Sequence, residues 1–211
     1  AVAQLLMGDY ENGWKSYEAR WNYEHLAGTL PKFEQPRWDG SQDISGKTIL
    51  ITGEQGHGDN IQFARFLITL KEMGAKIVFQ TTDALVPLFT STSVDSTIGF
   101  LDPLPEFDYW IPLMSVPEIL NIEVDTIPQH LQYLSASTHL NQTWRTRLGL
   151  KKKLRVGVCW SGRRDSWLNQ HKGMPIEYML NLIKKNPDYE WYNLQADCTP
   201  EDEAKLVELG V

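Results

Sequence analysis

Apolar and polar positions along this chain follow two different periods. At Thr48-Ile49-Leu50-Ile51-Thr52 a β-branched run of strand length breaks at Gly53, Gly56 and Gly58. Apolar residues then resume at helical spacing with Ile61, Phe63-Ala64 and Leu67-Ile68, which predicts a strand over 47–52, a tight loop and a helix over 59–73. Gly74 stops that helix before a strand at 76–80. Asp83 is placed to cap a short helix around 84–91, and strands around 96–100 and 108–111 follow in a proline-punctuated stretch. A helix near 138–148 ends at Gly149, and Lys151-Lys152-Lys153 lead into a second apolar strand over 154–160. Pro175 opens a helix carrying Met179, Leu182 and Ile183, Glu190 to Gln195 reads as a strand, and Thr199-Pro200-Glu201-Asp202 starts a last helix. Strands alternating with helices at this spacing predict an α/β fold with a parallel sheet that begins again near 154.

The first 46 residues carry a different signal. Trp14, Tyr17 and Trp21 fall on one helical face at i, i+3 and i+7, after a break at Gly8-Asp9-Tyr10. An aromatic stripe of this kind is more often core than ligand site. Residues 28–46 are rich in Pro and Gly and read as a linker pinned by Trp38. The chain opens on Ala1-Val2-Ala3 and stops at Leu209-Gly210-Val211 directly after a helical pattern, so it reads as a fragment of something longer.

Composition narrows the function classes. A hydrophobic share of 42%, a charged share of 22% and a net charge of −7 belong to a globular protein and speak against nucleic acid as an electrostatic partner. Cys159 and Cys198 have neither metal spacing nor the density of a disulfide scaffold, which points to a reducing compartment, and no apolar run has membrane-spanning length. The expected location is cytoplasmic, with no membrane span.

The glycine loop after the first strand invites a phosphate, and two familiar patterns fail there. A P-loop has the Gly53 to Gly58 separation but needs Lys and Ser/Thr next, where this chain has Asp59-Asn60. The dinucleotide fingerprint needs another glycine order and an acid ending the second strand, which comes only at Asp83. What remains is a loop that aims one carboxylate, Asp59, at the crevice beyond a strand end, against the plainer alternative that Asp59 caps a helix. Two α/β halves facing each other would set Asp59 opposite Ser161, Arg163, Arg164 and Lys172, a base across from donors for a departing phosphate. Taken alone, those cations fit ordinary surface equally well, and His57 and His171 have no assigned task. No His/Cys/Asp cluster has ligand spacing, so no metal is expected.

Gly8-Asp9-Tyr10, Gly13-Trp14, Tyr17-Glu18, Arg20-Trp21, Trp38-Asp39-Gly40, the block Gly53 to Arg65, Phe107-Asp108-Tyr109, Pro112 to Ser115 and Trp160-Ser161-Gly162 form a combination. It resembles bacterial tetratricopeptide-repeat proteins with a GT-B glycosyltransferase-like domain. That domain is similar to ADP-heptose lipopolysaccharide heptosyltransferases and, distantly, to O-linked N-acetylglucosamine transferase. The resemblance implies a helical-repeat remnant over 1–27, a linker over 28–46, an acceptor-side Rossmann-like domain over 47–150, and the start of a nucleotide-sugar domain over 151–211. It also implies a metal-independent inverting glycosyltransferase with no cofactor beyond its nucleotide-diphosphate sugar donor and with a glycan, lipid or protein acceptor. Asp59 becomes the base, with Gly53, Gln55, Gly56, Gly58 and Gln62 in the acceptor loop. Ser161, Gly162, Arg163, Lys172 and Gln195 fall to the donor. The Asp-Thr and His-Leu-Ala segment that holds the diphosphate in that family does not occur before Val211. This chain alone is therefore expected to be inactive. The alternative is a non-catalytic scaffold whose repeats recruit a protein partner.

Overall fold

The computed structural model describes residues 1–23, 28–54, 56–90, 92, 94–129, 132–162 and 173–211. The chain forms two compact units, Ala1–Leu140 and Asn141–Val211.

The first unit is built on four parallel strands, β1 (Thr48–Thr52), β2 (Lys76–Thr81), β3 (Ser96–Gly99) and β4 (Tyr109–Pro112), in the order β3-β2-β1-β4. In β1, Ile49, Leu50 and Ile51 are all 0% exposed, because a central parallel strand is covered on both faces. The alternation of side chains sorts the core into two layers. Ile49, Ile51, Ile77, Phe79 and Ile111 pack on one side with Phe63, Phe66, Leu67 and Leu70. Leu50, Val78 and Trp110 pack on the other with Leu30, Phe33 and Phe107. The Pro- and Gly-rich stretch thus supplies the cover of the second face. Trp110 donates its indole N–H to the Gln35 carbonyl at 3.0 Å, and the Trp38 N–H bonds the Trp110 carbonyl at 2.9 Å. The Trp38 side chain itself is buried.

The crossover from β1 to β2 is two helices, where one was expected over 59–73. First comes α3 (His57–Phe63) and then α4 (Arg65–Glu72), preceded in the chain by α1 (Val2–Leu6) and α2 (Tyr10–Tyr17). At Ala64 the ladder tightens, with the Leu67 N–H reaching the Ala64 carbonyl three residues back at 3.0 Å. Gly74, at φ +87°, ends α4 as a left-handed cap, and the Ala75 N–H bonds the Leu70 carbonyl at 3.2 Å. The next helix, α5 (Val86–Phe89), starts after Leu85, so the cap expected of Asp83 is not made. After β4 a 3₁₀ turn at Leu113–Ser115 leads into α6 (Val116–Ile119).

Residues 1–22 dock on this sheet through the aromatic stripe. Asp9 caps α2 by accepting from the Asn12 N–H, Trp14 donates to the Ile122 carbonyl at 2.9 Å and stacks edge-on against Phe63, and Tyr17 reaches Met114. A 3₁₀ turn over Glu18–Asn22 then delivers Arg20, only 3% exposed, into the unit. All five guanidinium N–H groups find acceptors. Nε and Nη2 clasp the Glu54 carboxylate at 2.8 and 2.9 Å, Nη2 also bonds Ser115 Oγ at 2.7 Å, and Nη1 bonds Glu18 at 2.7 Å and the Tyr17 carbonyl at 3.3 Å. Arg37 bonds the second Glu18 oxygen at 2.7 Å, so two cations face two anions.

The second unit is smaller. Two parallel strands, β5 (Arg155–Val158) and β6 (Glu190–Asn193), carry the crossover helix α8 (Ile176–Lys185), and α9 (Pro200–Val207) follows. The helix α7 (Thr138–Leu148) precedes β5 in the chain, closed by Gly149 at φ +63°. Val158, Trp160, Ile176, Ile183 and Leu206 form its core. Arg155 bonds Glu190 and the carbonyls of Leu148 and Gly149 at the end of α7, while Thr199 caps α9 by accepting from the Asp202 N–H. Among the described residues no helix is long and apolar enough to cross a membrane.

Two predictions follow from the Arg20 cluster. Arg20→Met leaves the buried Glu54 carboxylate without its cation and is expected to destabilise the first unit by about 3–5 kcal/mol, whereas removing the exposed Lys15 to Glu11 pair stays within about 0.5 kcal/mol; urea titration of the two variants side by side measures both. Burial opposes ionisation of Glu18, but the hydrogen bonds from Arg37 and Arg20 outweigh it and hold its carboxyl below the ordinary glutamate value. A lowered native pKa stabilises the fold fully above the unfolded-state value and loses that contribution as pH falls through the native one. The urea midpoint is therefore expected to drop in the acid range below the ordinary glutamate pKa, and Glu18→Gln is expected to flatten that drop.

Candidate functional site

In an open parallel sheet, the place where the strand order reverses leaves a crevice at the carboxyl ends of the two strands concerned. The order β3-β2-β1-β4 puts that point between β1 and β4, so the segments to inspect are Gly53 onward and Leu113–Ser115. The Glu54 side chain stands there, 10% exposed, holding Arg20 on one side and the Met114 N–H at 2.9 Å on the other.

The loop is shaped by close approach. The Gly53 N–H bonds the Gln80 carbonyl at 2.6 Å, and a Cβ at Gly53 would lie 2.2 Å from Asn60 Oδ1 and 2.9 Å from the Gln80 carbonyl oxygen. Only glycine fits there. Asn60, 2% exposed, donates both amide hydrogens, to the Glu54 and Gly56 carbonyls at 2.9 Å each, and its Oδ1 accepts from Thr81 at 3.5 Å. Gly56 is the N-cap residue of α3 in extended backbone, and its N–H is bonded at 3.0 Å by Oδ2 of Asp59, the third residue of the helix. Asp59 therefore serves as a helix cap in this geometry while remaining partly exposed.

Gly53, Gly56, Gly58 and Asp59 are brought together at the end of β1. Gln55 lies outside the described residues. Gln62 sits on the outer side of α3, where with Tyr10, Trp14, Phe63 and Met114 it borders an apolar groove of about 280 Å³ under the first two helices. Arg20, Glu54 and Asn60 are the residues that sequence reasoning missed. Arg20 falls three positions after Tyr17, on the face of the aromatic stripe, but its partner Glu54 is 34 positions away, so no local spacing signals the pair.

In the second unit Trp160 and Ser161, just after β5, are held by one side chain. Gln195, 7% exposed, accepts through Oε1 from the Trp160 and Ser161 N–H groups at 3.1 and 3.0 Å. Its Nε2 donates to the Ser161 carbonyl at 3.0 Å and to Asp197. Ser161 Oγ donates to the Gly162 carbonyl at 3.0 Å. Gln195 and Ser161 are therefore adjacent, with Gln195 engaged as a clip between the ends of β5 and β6. Arg163, Arg164, His171 and Lys172 lie outside the described residues. Among the described residues no three His, Cys, Asp or Glu side chains converge as metal ligands would.

No family model matches the sequence, and no solved structure matches it. Among curated proteins the chain is similar to Protein FlbA of Caulobacter vibrioides, with 26% identity over 234 aligned positions that take in all of this chain and 39% of that protein. The chain thus spans well under half the length of the curated relative it matches.

The two outer glycines of the loop make a contrast that thermal melts can read. Gly53→Ala forces Asn60 or the β2 backbone to move and is expected to lower stability by about 1–3 kcal/mol. Gly58→Ala, in a helical position with no atom within 4 Å of its added methyl, is expected to be neutral or to raise stability by up to about 1 kcal/mol.

Proposed function

We propose that this chain is part of a metal-independent, inverting glycosyltransferase of GT-B type, in which the first unit takes the acceptor hydroxyl and the segment from Ser161 belongs to the nucleotide-sugar side. The observation that carries the reading is the position of Gly58-Asp59. A partly exposed carboxylate stands in the first turn of the helix after a central strand of a parallel sheet, beside the point where strand order reverses, next to a loop whose glycines let backbone come close to a ligand. Asp59 there acts as the base that takes the acceptor hydroxyl proton. The tetratricopeptide-type reading of residues 1–22 is part of the same proposal, supported by a helical hairpin that turns at Gly8 and Asp9. Because the chain spans 39% of its relative's length, the activity is assigned to the full-length protein.

A second reading has its own observation. The crevice between β1 and β4 is occupied by the Arg20 and Glu54 side chains, and Asp59 is engaged as a cap. A scaffold that kept the fold and lost the chemistry would look the same.

Asp59→Asn separates the two, since the amide retains an oxygen to accept from the Gly56 N–H but cannot take a proton. In the full-length protein assayed against a panel of nucleotide sugars, turnover is expected to fall by about 10²-fold or more. Undiminished turnover in Asp59→Asn ends the assignment of the base. Absence of any calorimetric heat with nucleotide diphosphates favours the scaffold.

A further inference from the structure

We propose that Arg20 is a positioning residue for the Asp59 loop, so that the N-terminal helical segment is a working part of the site built by the sheet. The proposal rests on the reading of Asp59 as the reactive group of that loop.

A continuous set of bonds joins the two residues. Arg20 reaches the switch-point crevice from the 3₁₀ turn after α2 and clasps the Glu54 carboxylate with two N–H groups. The Met114 N–H, just past β4, holds the same carboxylate, so the Glu54 side chain is fixed to the exits of both central strands. The Glu54 backbone carbonyl accepts one hydrogen of the buried Asn60 amide, and the Gly56 carbonyl accepts the other. Gly56 in turn gives its N–H to the Asp59 carboxylate. Every step in this path is made by a residue of the loop itself or by one that touches it.

The direction of control follows from burial. Glu54 is 10% exposed and Arg20 3%. A carboxylate in that setting without its cation moves towards water. The Glu54 carbonyl accepts one of the two Asn60 hydrogen bonds, so a Glu54 side chain drawn towards water loosens the residue that anchors Asn60 at the first turn of α3. Arg20 is thus worth more to the loop than a packing contact would be. Lysine cannot replace it, because three donors on one ammonium cannot span Glu54, Glu18, Ser115 and the Tyr17 carbonyl together.

Hydrogen exchange read by mass spectrometry tests this on the chain itself, comparing wild type, Arg20→Lys and Glu54→Gln. In both variants exchange in the peptide spanning 53–63 is expected to accelerate by about tenfold or more beyond any acceleration in the strands at 76–81 and 96–99, which report the global loss of stability. An unchanged 53–63 peptide overturns the proposal, and so does equal acceleration across the strands, which makes Arg20 a general stabiliser only. In the full-length protein, Arg20→Lys is expected to lower kcat about tenfold or more with the donor KM within about twofold, and an unchanged kcat overturns the positioning role. If the wild-type protein transfers no sugar while the exchange pattern holds, the glycosyltransferase reading fails and the control of the loop by Arg20 stands.

Discussion

The ion cluster around Arg20 ties this fold together. Taking a guanidinium out of water is unfavourable by several kcal/mol, and two carboxylates together with it more so. The arrangement holds because none of the donors is wasted: five N–H groups meet Glu54, Glu18, Ser115 and the Tyr17 carbonyl, and the Tyr17 and Trp21 rings lie 4.9 and 4.5 Å from the guanidinium carbon. Arg37 returns the local charge to balance. Three otherwise separate parts, the helical segment, the exit of β1 and the exit of β4, are fixed to one another at this point. The sheet crevice that ligands use in related architectures is defined by what Arg20 leaves of it.

Both units solve the same local problem with an amide. A strand that ends in a tight loop leaves backbone groups pointing at nothing, and a buried carboxamide has both donors and an acceptor to offer them. Asn60 does this after β1, bonding the Glu54 and Gly56 carbonyls, and Gln195 does it after β5, bonding the Trp160 and Ser161 N–H groups and the Ser161 carbonyl. Each loop is therefore anchored at its root. Gln195, expected among donor-binding residues, stands at this root with backbone and side-chain partners, the Asp197 carboxylate among them.

Much of the architecture could be read from side-chain periodicity. The run Ile49 to Ile51, buried on both faces, has no alternation because β1 is central, and the glycine at 74 ends its helix as a left-handed cap. Periodicity could not show the break at Ala64, where the backbone tightens without any proline or glycine to mark it. It could not show the Arg20 cluster either. A charged residue three places after an aromatic reads as surface unless its partner is known, and Glu54 is 34 positions away. Long-range pairing of polar groups leaves no local pattern, so the legible part of the site was the glycine loop and the illegible part was what holds it.

The span of those bonds also orders the birth of the molecule. Trp14 finds its acceptor at Ile122, 108 positions later, and Arg20 finds Ser115 after 95. During synthesis the helical segment leaves the ribosome before the sheet does and has nowhere on it to dock until β4 and the turn after it have followed. Until then the aromatic stripe and the Arg20 groups that reach Glu54 and Ser115 are without their partners, and the segment exposes apolar surface of the kind chaperones bind. The closing of the sheet and the seating of the helices are then a single late event.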